Sequence, residues 1–501
     1  MTSLAAPEMS TSAHAAEREE SRYLWPPLIL SIVLLWFVPI GTSLGLDESG
    51  NWWVVKDGFK IMLERSRIWP SGTLFNSLVI LARSLGGDSD VVMRIPAVLA
   101  ALGAVYLLYR LGNKLLGPLA AMFSCLVFVT MRSVVDVAST VRPYSLAILL
   151  VIGAMLCLVN WLDTGRSRYG VGYVFLASLT LYATFLYAIM FLVHAAYALV
   201  RIRARESAVS VRALIAAWLA SGVLLLPLVP EILASFASRG NHSYLGVPGV
   251  YAAFWSVVPP LLAGIVGATL LLFLFVRQPF RGSAIPSSMG AWLIAMWALL
   301  PPGILLVLAL FTNLQLFADR YYLENAPGVA LAAGMLLSRL EPAAMRRFIA
   351  AALAIGAFLL HGLSERFMRG ADDYRGAVAV VRQEVADSRT PVIVTTGFIE
   401  GSTLSDVLNP AMSEVLFSPV RRYRMPGELV AAPIVMDREA EDYMEHLVTT
   451  KLQNQPRFLL VGPYTSEIYG WLEGRCRILG FTARGYKQFG DVRVSLFERS
   501  P

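Results

Sequence analysis

Hydrophobic positions in this sequence come in unbroken runs. A helix needs roughly 20 apolar residues to cross the hydrocarbon of a bilayer. Runs near that length fall at 24–42, 92–109, 117–131, 143–161, 171–183, 185–200, 213–231, 251–276, 289–311, 321–338 and 348–363. They predict an α-helical polytopic membrane protein with about eleven transmembrane helices. The first run is too long for a cleaved signal peptide and reads as a retained span. Two further stretches lie between the first and second spans. "WWVVKDGFKIMLERSRIW" mixes tryptophans with Lys56, Lys60, Arg65 and Arg67, and "TLFNSLVILARSLG" carries Arg83. Both predict interfacial segments in the headgroup zone.

After residue 363 the pattern changes. "DDYRGAVAVVRQEVAD" has helical spacing and precedes "TPVIVTT", a short β-branched run. "REAEDYMEHLVTTKLQN" is helical and precedes "RFLLVG"; "SEIYGWLEGRC" is helical and precedes "VRVSLFER". Helix alternating with strand predicts a small α/β domain. No glycine-rich phosphate loop opens any of these helices. The expected organisation is a tail over 1–23, a membrane domain over 24–363 with a first outer loop at 43–91, and the α/β domain over 364–501.

Composition agrees with a membrane protein: 56% of residues are hydrophobic and 15% charged. The formal net charge of +7 reads as arginine-rich cytoplasmic loops rather than as nucleic-acid binding. With the N-terminus inside, Arg110, Lys114, Arg166, Arg168, Arg277, Arg281, Arg339, Arg346 and Arg347 also fall inside. The most basic loop, "RIRARESAVSVR", is inside only if 171–200 crosses twice, with its outer turn near Thr180 to Tyr187. The outer loops then keep Arg132, Arg142, Arg239 and Arg320, and the α/β domain is extracytoplasmic. The three cysteines offer neither a disulfide framework nor metal spacing.

Three polar clusters share that outer face. "LDES" places Asp47 and Glu48 after the first span. Paired acids at the C-terminal end of a helix would repel each other and meet the negative end of its dipole. Both effects favour the protonated form, which suits a proton acceptor. On their own the two would also read as solvated acids at a helix end. "RSVVDVASTVRPYSL" brings Arg132, Asp136, Arg142 and Tyr144, with Pro143 suited to the first turn of the fourth span. Arg142 at a helix N-terminus invites an anion, although an arginine snorkelling to lipid phosphate would look the same. "FADRYYLENAPG" adds Asp319, Arg320, Tyr321, Tyr322 and Glu324. Ionisable residues kept at membrane depth mark function by default. Carboxylates and arginines on one face fit an anionic lipid substrate, or a transporter gate.

On these residues the sequence resembles the polyprenyl-phosphate-dependent glycosyltransferases of the GT-C fold. It is similar to the branch of protein O-mannosyltransferases and the lipid A aminoarabinose transferase. The resemblance rests on "LDES" after the first span, "RIPAVLAALGAVYLLYRLGNKLLG" over 94–117, "VRPYSLAILL" over 141–150 and "DRYYLENAPGVAL" over 319–331. It covers most of 24–340 and implies a donor sugar, mannose-like or aminoarabinose-like, on a polyprenyl phosphate. It implies Asp47 as general base, Glu48 beside it, and Arg142, Arg320 and Arg94 stabilising the leaving phosphate, with Tyr144 and Tyr321 in the same motifs. The acceptor would be a glycan, lipid or protein, and no cofactor or metal is indicated. Two departures stand out. "IWPSGTLF" lacks the His or Lys and the Pro–Pro–Leu of the family, and Thr140 replaces a glutamate, with Asp136 as the candidate to supply the acid instead. The competing class is a transporter or flippase of a lipid-linked saccharide. That class calls for inverted repeats and mid-span charges, whereas the charges here gather at one face.

Overall fold

The computed structural model describes residues 11–69, 72–237, 249–272, 288–312, 316–364, 370, 372–385 and 387–499. Arg239, Arg277, Arg281 and positions 273–276 of the eighth run lie outside them. The chain forms two compact units. One comprises Met1–Val38, Ser71–Leu78 and Arg94–Leu363; the other comprises Pro39–Pro70, Val79–Met93 and Ser364–Pro501.

The first unit is helical. Among the described residues, seven helices are long and apolar enough to cross a membrane, or eight if the bent pair Pro118–Thr130 and Arg132–Ala138 is one span. The count is below eleven because several runs are broken. The pair bends by 68° at Met131. The run 251–276 divides into Val250–Trp255 and Pro260–Leu272, and 321–338 begins with single turns before the helix Ala326–Leu337. The doubtful stretch 171–200 is two helices. Thr184 is extended (φ −159°, ψ 124°) and separates Ser167–Ala183 from the segment Phe185–Arg203.

Close helix approach in this unit depends on small residues, as expected where lipid tails compete equally for apolar side chains. A Cβ added at Gly328 would lie 2.6 Å from the Ala298 nitrogen, and one at Gly334 would collide with Ser124 Oγ and Ala120 O. Ion pairs gather the polar helix ends. Asp163 accepts from Arg201 at 2.6 Å and from Lys114 at 2.7 Å, joining the ends of three helices. Arg346 makes a bidentate pair with Glu20, at 2.7 and 2.6 Å.

The second unit is built on a five-stranded sheet, of order β2-β1-β3-β5-β4. The strands are β1 (Pro391–Val394), β2 (Glu428–Ala431), β3 (Arg457–Pro463), β4 (Phe481–Phe489) and β5 (Val492–Arg499). β1 pairs in parallel with both β2 and β3, while β5 is antiparallel to β3 and β4. Side chains alternate between two cores, as the strand period of two requires. Ile393, Phe458 and Leu460 pack with Met444 and Leu472 on one face; Val392, Val394, Leu459 and Val461 pack with Tyr374 and Val378 on the other.

Most of the first outer loop, over 39–70 and 79–93, folds with this sheet. Within 52–69 the two leading tryptophans turn inward, while Phe59, Leu63 and Ile68 are exposed. Trp52, Trp53, Val54 and Val55 are buried in the protein. Two of its four cations are paired: Arg65 meets Asp57 at 2.6 Å and lies over Trp53, and Lys56 meets Glu414 at 3.7 Å, while Lys60 and Arg67 are exposed.

Candidate functional site

Asp47 and Glu48 do not end a helix; they begin one. The first span gives way to an extended turn, and Gly45 (φ −70°, ψ 176°) then starts the helix Leu46–Val55. The dipole argument from sequence is therefore reversed. Both acids lie in a first turn, where exposed backbone N–H groups and a positive dipole end stabilise carboxylates. Glu48 is buried and closes the cap, accepting from the Gly45 N–H at 2.9 Å. Asp372 accepts from the Leu46 N–H at 3.2 Å. With those bonds made by other acids, Asp47 is the half-buried member of the pair.

A third acid, absent from the sequence reading, lies within electrostatic reach of Asp47. Glu400 follows β1 and is buried. Burial, together with the charges of Asp47 and Asp406, pushes its carboxyl above the usual carboxylate range, although its own backbone N–H pulls the other way. Nothing local in "GFIEGS" signals this.

In the first unit, Arg142 donates to the Tyr144 hydroxyl at 3.1 Å and lies over its ring, 5.4 Å from the centroid. Pro143 sits at the N-cap of the helix Tyr144–Thr164, one position before the first turn that was expected. Tyr187 lies within electrostatic reach of both Tyr144 and Glu324. Glu324 is 0% exposed, and neither carboxylate oxygen has a hydrogen-bond partner among the described residues. The Tyr187 hydroxyl is likewise buried and unpartnered there. Tyr187 belongs to the turn 180–187, and Leu186 and Ile189 of the same segment pack on Phe317, Tyr321 and Tyr322. The turn thus brings Arg142 and Tyr144 together with the segment of Arg320 and Tyr321. Arg320 stacks on Tyr321 at 5.1 Å, and Tyr322 donates to Asp319 at 2.5 Å. Asp136 pairs with Arg132 at 3.7 Å, both well exposed, and feels the charge of Asp319. An exposed pair of that length is weak and leaves Asp136 adaptable. Arg94 is buried in the helix Asp90–Leu116. Tyr187 was missed because a tyrosine in an apolar run resembles core. Glu324 was seen only as part of its motif. Among the described residues no group of three or more His, Cys, Asp or Glu is placed to hold a metal ion.

Comparison with known proteins bears on the fold. The family model of dolichyl-phosphate-mannose-protein mannosyltransferases matches residues 73–233. Comparison with curated proteins finds no match. Among solved structures, ArnT from Cupriavidus metallidurans bound to undecaprenyl phosphate superposes with a TM-score of 0.57 at 12% identity, over 95% of this chain and 98% of that one. Its apo form gives 0.55 at 13% identity, over 96% and 98%. The oligosaccharyltransferase AglB from Archaeoglobus fulgidus gives 0.47 at 12%, over 95% and 74%. The chain therefore has the GT-C fold that its motifs led us to expect: a polytopic helical bundle with a C-terminal α/β region.

Proposed function

We propose that this protein transfers a sugar from a polyprenyl phosphate to an acceptor hydroxyl, at the outer face of a bacterial plasma membrane. The observation that carries the reading is the fold. It matches ArnT over nearly the whole of both chains, and that protein's structure holds undecaprenyl phosphate. In this reading the sugar is mannose-like or aminoarabinose-like, and the acceptor a glycan, lipid or protein. Asp47 takes the acceptor's hydroxyl proton. The acceptor oxygen bonds to the anomeric carbon as the bond from that carbon to the phosphate oxygen breaks. Polyprenyl phosphate leaves with the electron pair, and the anomeric centre inverts. Arg142 and Arg320 stabilise charge growing on the phosphate. Tyr144 and Tyr321 hold those guanidiniums in place. Arg94 is a weaker candidate for the same task, and Asp136 is the alternative base.

Arg142→Lys and Arg320→Lys should each weaken donor binding, because a point charge does not replace a planar bidentate donor. Titration of the purified protein with polyprenyl-phosphate mannose checks this. Donor affinity unchanged in the alanine variants of both would reduce them to lipid anchors.

The topology that goes with this reading puts 1–23 and 201–212 inside and 364–501 outside. Arginine asymmetry supports it, as does the pairing of Lys114, Asp163 and Arg201 at one set of helix ends. Single cysteines at 205 and 387, on a cysteine-free background, should be labelled from opposite sides of intact cells. Labelling of 205 from outside would invert the scheme.

A further inference from the structure

The sheet of the second unit contains a feature that the proposed roles do not use. From β1 the chain runs through the helices Leu404–Leu408, Pro410–Leu416 and Ser418–Arg422 to β2, on one side of β1. From β3 it runs through the helix Ile468–Ile478 to β4 and β5, on the other side. Two parallel neighbours whose connections leave in opposite directions open a crevice beyond their carboxyl ends, the usual place for a ligand in such sheets. Val394 and Pro463 mark those ends.

The residues that follow them are polar and orphaned. Thr396 is 3% exposed, Glu400 8% and Ser466 4%. Thr396 Oγ1, Glu400 Oε2 and Ser466 Oγ have no hydrogen-bond partner among the described residues. A buried hydroxyl or carboxylate left unmade is costly, and three of them in the segments that follow β1 and β3 call for a partner from outside the chain. An aromatic wall stands beside them. Phe398 meets Trp69 edge-on, with centroids 5.1 Å apart. Trp69 in turn lies against Gly50 of the helix that carries Asp47, so close that a Cβ there would be 2.9 Å from the indole.

Hydroxyls, a carboxylate and aromatic faces are the groups that read the hydroxyls and apolar face of a pyranose. None of these groups is a cation, which a phosphate or nucleotide would call for. We propose that the crevice between β1 and β3 binds a carbohydrate, with Thr396, Ser466 and Glu400 hydrogen-bonded to its hydroxyls and Trp69 and Phe398 against its ring. Resting on the transferase reading above, this is the site for the sugar part of the acceptor.

The test uses the full-length protein in a detergent without a sugar headgroup. Methyl α-mannopyranoside, methyl β-galactopyranoside and methyl β-glucopyranoside are presented at about 10 mM, where a site of about 1 mM affinity is mostly filled. Saturation-transfer NMR should show protein contact for at least one of them. The double variant Thr396→Val, Ser466→Ala should weaken that contact about tenfold or more and keep its thermal midpoint, since it removes only unmade bonds. No transfer to any glycoside from the wild type would overturn the inference and leave these hydroxyls to buried water. Equal contact in the double variant would overturn it as well. Donor consumption is followed separately. A protein that consumes polyprenyl-phosphate sugar but binds no glycoside loses this inference alone; one that binds glycoside but consumes no donor keeps the carbohydrate site and loses the transferase reading, with the acceptor role that rests on it.

Discussion

Asp47→Asn should lower sugar transfer by about 10²–10⁴-fold, the usual worth of a general base. The substitution keeps the shape of the side chain and its place in the first helical turn. Glu48 makes the Gly45 cap and Asp372 takes the Leu46 N–H, so neither bond depends on the substituted residue. The variant should fold, reach the membrane and bind donor as the wild type does. Glu48→Gln behaves differently. It weakens a charge-assisted bond to the helix start and should act first on stability, with a milder effect on turnover than Asp47→Asn. Initial rates at saturating donor, together with donor affinity, separate the two variants. Transfer by Asp47→Asn within a few-fold of wild type would return Asp47 to a solvated helix start and move the search for the base to Asp136.

Asp90→Asn should produce the largest loss of stability. Asp90 accepts from Arg422 at 2.7 and 3.0 Å, from the Tyr423 hydroxyl at 2.8 Å, and from Arg375. The side chains of Asp90 and Arg422 are both 6% exposed. Removing one charge from a buried pair costs about 3–5 kcal/mol, mostly because the other charge stays behind unpaired. Asp88 still accepts from Arg422 at 2.8 Å, which places the loss at the lower end, about 3 kcal/mol. Arg375 adds little, being half exposed. Tyr423 also accepts from the Leu44 N–H at 2.7 Å, so the network ties the loop ahead of Asp47 to the sheet unit. Burial, with the Asp90 charge beside it, pushes the Tyr423 hydroxyl up to about 12, which keeps it a donor throughout the neutral range. The thermal midpoint in detergent should fall by several degrees for Asp90→Asn and much less for Asp88→Asn, whose side chain is exposed. Equal midpoints for Asp90→Asn and wild type would show that the network carries no stability.

The membrane unit was readable because the length of an apolar run is itself the physical requirement for a span. Its breaks were less readable. Met131 and Thr184 are ordinary residues in apolar surroundings, and only the charge asymmetry of the flanking loops pointed to a turn near Thr184. In the sheet, the runs "TPVIVTT", "RFLLVG" and "VRVSLFER" are β1, β3 and β5, the interior strands, whose burial demands apolar sequence. β2 and β4 escaped notice because they are edges. An edge strand carries polar residues such as Arg484 and Lys487, and its sequence loses the β signature for that reason. The place of Asp47 after the first span was legible, but its electrostatic setting was not, since a helix start beyond an extended turn leaves little trace in "GTSLGLDESG". Glu400 and Tyr187 were not legible. Each gains its significance from residues far away in the chain, and neither has a local signal.

The central claim is that the protein breaks the bond between a sugar and a polyprenyl phosphate. The most direct measurement is made in detergent, where transport has no meaning and only chemistry can be seen. Purified protein is incubated with radiolabelled mannosyl- and aminoarabinosyl-phosphate polyprenols and an envelope extract as the source of acceptor, and free polyprenyl phosphate is quantified. The account predicts that one donor is consumed only when extract is present, with an inverted anomeric centre in the product and almost no release by Asp47→Asn. Intact donors under all these conditions, from a protein that binds them, would contradict it.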